Sequence, residues 1–257
     1  MNSAPLTNFR DFGGRESMHG GHLQRGLLFR CGQLHHLTPE QHDYLTRMNF
    51  DLAVDLRHGR ERIRHPMPWP VDPVRKLFTV DDDGMDGAPH KELLRKGPIT
   101  SADVNAFYHN FYRRLPFDTA YRDLFTRSMI ALSATQGRVL IYCTAGKDRT
   151  GMMVALVQHV LGMHQADVHS DYLRSRESPE LSAQADLIVD NVQSRLGYQL
   201  EPTVARRLMS VELSYIAAFF QSIEDGCGSV ANYLAQCGFT EHHAAKLRAQ
   251  FLTSASK

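Results

Sequence analysis

Short apolar runs in the first part of the chain predict the strands of a sheet. They lie at residues 26–30 (GLLFR), 50–56 (FDLAVDL), 74–80 (VRKLFTV) and 138–143 (RVLIYC). The last run is apolar almost throughout, which is typical of a strand that is buried on both faces of a parallel sheet. The sequence therefore predicts a sheet in which this fourth strand is fully buried.

Apolar residues spaced three and four apart predict helices between and after these strands. Residues 151–162, GMMVALVQHVLG, are apolar almost all round and predict a buried helix that stops at Gly162. A later stripe predicts one long amphipathic helix ended by Gly226 and Gly228. The two stripes consist of Phe107, Phe111, Tyr121, Leu124, Phe125, Ser128 and Leu132, and of Leu208, Val211, Tyr215, Phe219 and Ile223.

The order of these elements predicts the fold class. Strands come first and helices mostly follow, which favours an α/β fold with a small, mainly parallel central sheet flanked by helices. No repeat, low-complexity block or flexible linker divides the chain, so residues 1–257 are predicted to form one domain. Residues 81–98 are predicted to be a long surface loop, which either borders a ligand site at the strand ends or is simply a solvated acidic loop.

Composition and charge narrow the class of protein. The chain has 257 residues, 42% of them hydrophobic, which is enough for a real core. With 29 basic and 28 acidic residues, it has no overall field that would attract nucleic acid or an anionic membrane. No apolar run is as long as a membrane span, and the amino terminus lacks the apolar core of a signal peptide. We expect a soluble, cytoplasmic protein. Export by a route that needs no signal peptide stays open.

The clearest candidate for chemistry is YCTAGKDRTG at residues 142–151. The predicted strand and helix on either side leave residues 144–149 as a turn, whose backbone N–H groups converge at a helix start and attract anions. A nucleotide-binding P-loop is excluded. It needs a glycine five residues before the Gly-Lys pair and a hydroxyl residue after it, where this chain has Ile141 and Asp148.

What remains is a cysteine followed six positions later by an arginine, Cys143 and Arg149. A helix start and neighbouring cations favour the thiolate form of a cysteine, and a guanidinium fork binds two phosphoryl oxygens. This pattern predicts attack by Cys143 on phosphorus, a cysteinyl-phosphate and its hydrolysis. Lys147 would add positive charge near the entrance, and Thr150 would assist the thiolate. The predicted phosphate-binding residues are Thr144, Ala145, Gly146, Lys147, Arg149 and Thr150.

The loop resembles the signature loop of the protein-tyrosine phosphatase superfamily, and its Gly-Lys-Asp-Arg interior is similar to an atypical bacterial branch. The resemblance extends to residues 8–14 (NFRDFGG), 28–38 (LFRCGQLHHLT), 54–62 (VDLRHGRER), 171–178 (DYLRSRES) and 228–239 (GSVANYLAQCGF). It implies the phosphatase α/β fold, with a lid formed by the helices after the active-site helix. It also implies hydrolysis, without a cofactor, of phosphotyrosine and often of phosphoserine, phosphothreonine or phosphoinositides. Substrate preference and oligomeric state stay open.

The resemblance assigns the general acid to Asp148. Its cationic neighbours favour the ionised form, whereas a bound phosphate dianion favours the protonated form. Two other acids stay open, Asp72 in the sequence WPVD and the group Asp81, Asp82 and Asp83. One residue departs from the pattern, because Tyr142 stands where the family usually has a histidine that supports the loop.

Other reactive residues have plainer explanations. Cys31, Cys227 and Cys237 are interpreted as structural, with a redox partner for Cys143 left open, and the pairs at 35–36 and 242–243 lack the spacing of metal-binding histidines, so no metal is expected. Asp55, Arg57 and Glu61 fit either a family motif or an ion pair at a strand end, and Arg10 and Asp11 are interpreted as structural.

Two other classes of function stay open. A sulfurtransferase or arsenate reductase also uses a cysteine in an anion-binding loop, and a phosphate-binding pseudophosphatase would retain Arg149 without turnover. Lys147, Asp148 and Thr150 favour the phosphatase over the first class, and the intact Cys143 favours it over the second.

Overall fold

The computed structural model of the chain describes residues 6–34, 36–67, 75–78 and 90–254, with only the backbone of residues 75–78. Its sheet has the strand order β1-β2-β5-β3-β4, and every neighbouring pair is parallel except β1 with β2. The predicted α/β class is confirmed, and the fourth predicted strand lies at the centre of the sheet. The strands are β1 (Arg10–Asp11), β2 (Leu28–Cys31), β3 (Phe50–Asp55), β4 (Arg75–Phe78) and β5 (Arg138–Tyr142).

Helices cover both faces of this sheet. Leu140 and Tyr142 of β5 point to a small core that includes Leu45 of the first helix, whereas Val139 and Ile141 point to a much larger core formed with the later helices. The helices are α1 (Pro39–Met48), α2 (Gly59–Arg64), α3 (His90–Arg95), α4 (Ser101–Arg114), α5 (Thr119–Ser133), α6 (Asp148–Val160), α7 (Gln165–Leu173), α8 (Pro179–Leu196), α9 (Pro202–Met209), α10 (Leu213–Cys227), α11 (Val230–Ala235) and α12 (Glu241–Phe251).

The alternation along β5 decides where the reactive residues point. Successive side chains of a strand face opposite sides of the sheet. Tyr142 therefore packs on the α1 side, and Cys143, which comes next, joins the larger core on the other side. Cys143 follows the end of β5 and lies near the start of α6, because the end of β5 and the start of α6 are at the carboxyl edge of the parallel strands.

The helices predicted at residues 107–132 and 151–162 are confirmed as α4, α5 and α6. The single helix predicted through residues 208–223 is wrong, because α9 ends at Met209 and α10 begins at Leu213, with Ser210 in an extended conformation between them. Leu208 and Val211 are both fully buried on the same core, so the apolar spacing continues across the break and hides it. The break leaves the carbonyl of Ser210 free to accept a hydrogen bond from Lys147 at 3.1 Å.

The loop predicted at residues 81–98 is wrong over its second part. Residues 90–95 form α3, whose Leu93 and Leu94 are buried, and the hydroxyl of Tyr198 donates to the carbonyl of Leu94 at 2.7 Å. Tertiary packing overrides the Gly- and Pro-rich flanks that suggested a loop. Residues 81–89 lie outside the described ranges. None of the helices within those ranges is long and apolar enough to cross a membrane.

Candidate active site

The segment after β5 forms a loop whose middle residue, Gly146, is fixed by contacts with other parts of the chain. Gly146 has a φ of +69°, and a Cβ at this position would lie 2.4 Å from the carbonyl carbon of Cys31, so only glycine fits. The carbonyl of Gly146 accepts hydrogen bonds from Asn8 Nδ2 at 2.8 Å and from Arg30 Nη2 at 2.9 Å. The shape of the loop is therefore fixed by β2 and the segment before β1 without any ligand.

The backbone N–H groups of this loop are unpaired. Within the described ranges, none of the N–H groups of residues 144–150 donates a hydrogen bond to another residue, and the first to do so is that of Gly151, to the carbonyl of Lys147 at 2.9 Å. Helix α6 begins at Asp148, so these groups lie at a helix start, where the helix dipole adds positive potential. The arrangement suits an anion with several oxygens.

Arg149 is buried at the base of the site and is held by a carboxylate from a neighbouring strand end. Its Nη1 and Nη2 donate to Glu61 Oε2 at 2.6 Å and Oε1 at 3.0 Å. Nη1 also donates to the carbonyl of Leu56 and to the hydroxyl of Tyr121. Nη2 makes a longer contact of 3.3 Å with Thr144. In the described part of the chain Nε has no partner, so one edge of the guanidinium can still receive phosphoryl oxygens.

The ion pair of Arg149 and Glu61 sets the charge of both residues. Burial by itself would raise the pKa of Glu61, but the charge and hydrogen bonds of Arg149 outweigh it and hold this pKa far below its usual range. Burial likewise opposes the charged form of Arg149, and Glu61 raises its pKa nevertheless. Glu61 also accepts from the backbone N–H of His58 at the start of α2, so its position is fixed by the helix cap.

A second buried ion cluster supports the loop from the side of α7. Asp171 binds Arg10 Nε at 2.9 Å through one oxygen and Arg30 Nη1 at 2.7 Å through the other. Burial would raise the pKa of Asp171, but Arg30 and Arg10 together lower it. Because Arg30 also holds the carbonyl of Gly146, Asp171 positions the loop through an intermediate residue. Asn8 joins the cluster through Ser175 at 3.1 Å.

Lys147 and Asp148 form an ion pair beside the loop. Lys147 Nζ lies 2.9 Å from one oxygen of Asp148 and 3.0 Å from the other, 3.1 Å from the hydroxyl of Tyr108 and 4.3 Å from the centre of its ring. Tyr112 donates its hydroxyl to Asp148 at 2.9 Å. The expectation that Lys147 stands near the entrance is wrong. Its side chain is only 2% exposed, because these partners enclose it.

The two loop hydroxyls differ in their surroundings. Thr144 donates its hydroxyl to Glu61. Thr150 is completely buried, and its Oγ1 has no hydrogen-bond partner in the part of the chain that is described. The predicted assistance of Thr150 to the thiolate of Cys143 stays a prediction.

Tyr142 occupies a different face from that of the site. It is buried under Arg57, whose guanidinium lies 5.6 Å from the ring centre, and Arg57 pairs with Asp55 at 2.7 Å. The ion pair predicted at the strand end is therefore confirmed for Asp55 and Arg57, whereas Glu61 of the same motif turns to Arg149. The loop is supported by Asn8 and Arg30 rather than by Tyr142.

The predicted residues meet at one pocket of about 260 Å³. Cys143 is only 2% exposed and lines this pocket together with residues of α3 and α8. Gly146 and Thr150 are not among the residues that line the pocket. The predicted site residues that do line it are Cys143, Thr144, Ala145, Lys147, Asp148 and Arg149.

The remaining predicted candidates lie elsewhere. Asp72 and Asp81–Asp83 lie outside the described residues, as does His35. The four cysteines are free thiols, and burial strongly raises the pKa of Cys31. Across the described ranges, no group of three or more His, Cys, Asp or Glu side chains could hold a metal ion. Asp11 accepts from the backbone N–H groups of Gly13 and Gly26, a structural contact.

Three supporting residues were not predicted from the sequence as parts of the site. They are Glu61, Asp171 and Asn8. Each lies in a motif that carried the family resemblance, at residues 54–62, 171–178 and 8–14. The sequence therefore showed the motifs, but not which residue each of these side chains contacts. Glu61 follows β3, and the carboxyl ends of parallel strands meet at one edge of the sheet, which placed it near Arg149.

A cysteine at the end of a central strand, an anion-binding loop and an arginine at the start of the next helix define the class of cysteine-dependent phosphatases. The model of the tyrosine phosphatase family matches residues 1–253. The chain belongs to the tyrosine phosphatase family, and it is a phosphatase.

Individual relatives agree with this family. The chain is 30% identical to the triple specificity protein phosphatase PtpB of Mycobacterium tuberculosis, over 95% of this chain and 96% of that protein. It is also 30% identical to a candidate tyrosine-protein phosphatase of Cupriavidus necator, over 96% of this chain and 86% of that protein. A tyrosine-protein phosphatase of Nostoc commune is 26% identical over 56% of this chain and 46% of its own length.

Proposed function

We propose that the protein hydrolyses phosphate monoesters with Cys143 as nucleophile, Arg149 as phosphoryl clamp and Asp148 as general acid. The observation that carries this proposal is the loop itself. The N–H groups of residues 144–150 have no acceptor among the described residues, and the loop that carries them borders the pocket lined by Cys143 and Arg149. Fixed donors of this kind stabilise the equatorial oxygens of a phosphoryl group without reorganising during the reaction.

The first step forms a sulfur–phosphorus bond and breaks the bond from phosphorus to the leaving oxygen. Asp148 gives its proton to that oxygen, so the alcohol or phenol leaves neutral. In the second step, a water molecule attacks phosphorus, Asp148 takes back the proton, and Cys143 leaves as the thiolate.

Arg149 enters the reaction already oriented. Glu61 holds the ends of its fork, and the edge with Nε is available to two phosphoryl oxygens. A phosphoryl group that binds Nε and Nη2 replaces only the 3.3 Å contact with Thr144. The guanidinium therefore loses only one long hydrogen bond when substrate binds. Its orientation is already fixed in the folded protein, so binding requires little further loss of conformational entropy.

For substrates, we propose phosphotyrosine in proteins together with phosphoserine, phosphothreonine and phosphoinositides. Support for the breadth comes from the relative named as a triple specificity phosphatase, which aligns along nearly the whole chain. We further propose that residues 1–257 act as a single domain in the cytoplasm. In this proposal α8 serves as a lid, because Gln184, Leu187 and Ile188 lie across the pocket from Cys143.

The experiment that tests the nucleophile compares two cysteine variants on p-nitrophenyl phosphate and on a phosphotyrosine peptide. Cys143→Ser should abolish turnover while binding of inorganic phosphate, measured by calorimetry, survives. Cys237→Ser, a partly buried free thiol remote from the pocket, serves as the matched control and should keep full activity. Turnover that persists in Cys143→Ser would overturn the assignment. Addition of EDTA should leave the wild-type rate unchanged.

A further inference from the structure

A second cleft opens directly from the catalytic pocket. Its volume is about 630 Å³, and it shares Arg64, His65, His90 and Lys91 with the pocket that contains Cys143. The cleft runs between α3 and α8. The buried side chains of Leu94 and Val192 form part of its floor, so it is a recess of the size typical for ligand sites.

The walls of this cleft are positively charged. Arg64, Lys91, Arg95 and Arg195 line it, and no Asp or Glu does so among the described residues. Across the same residues, none of these four side chains forms an ion pair or a hydrogen bond. Some other surface arginines are paired, for example Arg127 with Asp123 at 2.7 Å. Among the described residues, the cations of this cleft therefore have no protein counterion.

These cations repel one another. Burial lowers the pKa of Lys91, and the charges of Arg64, Arg95 and Arg195 lower it further, with Glu61 acting in the opposite sense. Burial and Lys147 lower the pKa of His90 to about 4, so His90 adds no charge at neutral pH. An anion bound among the four cations would relieve this repulsion.

Helix geometry alone does not explain the cluster. Arg64, Arg95 and Arg195 each lie in the last turn of a different helix, where a cation interacts favourably with the helix dipole. Arg47 and Arg114 have the same position in α1 and α4 without lining the cleft. The dipole favours a cation in the last turn of a helix, but it does not explain why three helices end around one recess beside the catalytic pocket.

We propose that this cleft is a second anion subsite, which receives a further phosphoryl group of a doubly phosphorylated peptide while the first occupies the loop after Cys143. The proposal rests on the proposed function and names its substrate class. Arg95 and Arg195 line only the second cleft, and Arg64 and Lys91 stand where the two cavities join. An extended peptide advances about 3.3 Å per residue, so a short spacing between phosphorylated residues bridges the two sites.

The shape of the cleft favours a peptide over a membrane. The four cations are exposed, but they line a recess between α3 and α8 whose floor is apolar and buried, and a flat bilayer surface would not reach that floor. The hydroxyl of Tyr198 donates to the carbonyl of Leu94 at 2.7 Å, and this hydrogen bond joins α3 to the segment that follows α8. An extended chain can enter such a groove and place side chains on both its cationic walls and its apolar floor.

The test measures kcat and KM on a series of phosphotyrosine peptides. Each carries one hydrolysable phosphotyrosine and, one to four residues away on either side, a phosphonomethyl-phenylalanine that cannot be cleaved. The reference peptide has phenylalanine instead of the phosphonate. At least one spacing should lower KM by about fivefold or more with kcat unchanged, since the added contacts act on binding rather than on the reacting phosphorus.

Charge-reversal variants test whether Arg95 and Arg195 bind the second anionic group. Arg95→Glu with Arg195→Glu should abolish the preference for the doubly anionic peptide, and Arg95→Gln with Arg195→Gln should weaken it. Arg47→Glu with Arg114→Glu changes net charge equally at the same helix positions and should retain the preference. Thermal unfolding of each variant verifies the fold, and the glutamine pair decides the matter if the glutamate pair unfolds.

Several outcomes would overturn the inference. They are equal KM values for all spacings, a preference that survives in both cleft variants, or a preference lost equally in the Arg47 and Arg114 control. Loss of activity in the cleft variants only on vesicles that contain a phosphoinositide bisphosphate would replace the peptide with a lipid surface. Failure of the proposed function is separate, because it would appear as no turnover of the reference peptide.

Discussion

Replacement of Glu61 by glutamine tests whether Arg149 depends on its carboxylate. The side chains of both residues are almost fully buried, at 7% and 5% exposure. Removal of one partner from a buried ion pair costs about 3–5 kcal/mol, because it leaves the other charge uncompensated. Glutamine keeps one acceptor oxygen, so part of the hydrogen bonding survives. We expect Glu61→Gln to lower the free energy of unfolding at pH 7 by about 2–4 kcal/mol.

The effect should depend on pH in a defined direction. The pKa of Glu61 is lower in the folded protein than in the unfolded chain, where the ordinary value is 4.5. Its contribution to stability is therefore complete above about pH 4.5 and is lost as the pH falls towards the folded-state value. Urea denaturation from pH 7 down to pH 3 should show the difference between wild type and Glu61→Gln shrinking on the acid side.

Phosphate and activity give two further readouts of the same change. A bound dianion supplies the missing negative charge, so saturating phosphate should stabilise Glu61→Gln more than wild type. A displaced guanidinium should reduce kcat/KM by about 100-fold. The control is Asp43→Asn, an exposed carboxylate in the middle of α1, which should leave the denaturation midpoint unchanged. Unaltered stability and kcat/KM in Glu61→Gln would refute the dependence of Arg149 on this carboxylate.

Other substitutions test the acid, the loop and its support. Asp148→Asn should lower kcat on phosphoserine peptides by about 100- to 10,000-fold and much less on p-nitrophenyl phosphate, whose leaving group needs no proton; equal losses would argue against Asp148 as the acid. Gly146→Ala should abolish phosphate binding in calorimetry, because its Cβ meets the carbonyl of Cys31 at a φ of +69°, and normal binding would contradict that geometry. Asp171→Asn leaves Arg10 and Arg30 uncompensated and should cost about 3–5 kcal/mol in urea denaturation at pH 7. Because the pKa of Asp171 is lowered, this loss should diminish below the ordinary carboxylate range, and a loss that stays constant with pH would show that its charge is not involved.

The sequence predicted those parts of the fold that local pattern determines. The central strand, the helix after it and the turn between them follow from one apolar run, one buried helix and one glycine. The two-residue strand β1 carries no periodicity, and it forms only because β2 offers it a partner. The break between α9 and α10 escaped prediction because Leu208 and Val211 keep a helical spacing while they bury on one core from two elements.

The candidate site could be predicted only as far as its residues are neighbours in the chain. Cys143, Asp148 and Arg149 come from one loop, so their spacing was visible. Glu61 and Asp171 lie 88 and 141 residues from the arginines that they hold, Arg149 and Arg30. No periodicity links such pairs, and the partner becomes known only from the order of strands in the sheet.

The position of Lys147 was predicted wrongly, although the residue belongs to the loop itself. Its charge and its place in the loop suggested an exposed position, but a lysine is easily drawn inward where an aromatic ring, a carboxylate and a free carbonyl coincide. Tyr108, Asp148 and Ser210 supply these three groups from separate elements. Only the packing of α4 and the break after α9 bring them together.

Rapid quenching with acid after mixing with a phosphotyrosine peptide would capture the covalent intermediate. Peptide mapping by mass spectrometry should find one phosphoryl group on the fragment that contains Cys143, and none on the corresponding fragment of Cys143→Ser. Its amount should rise and decay in step with phosphate release. A phosphoryl group on another residue, or full turnover with no phosphoryl group on Cys143 at any time, would contradict nucleophilic attack by this sulfur.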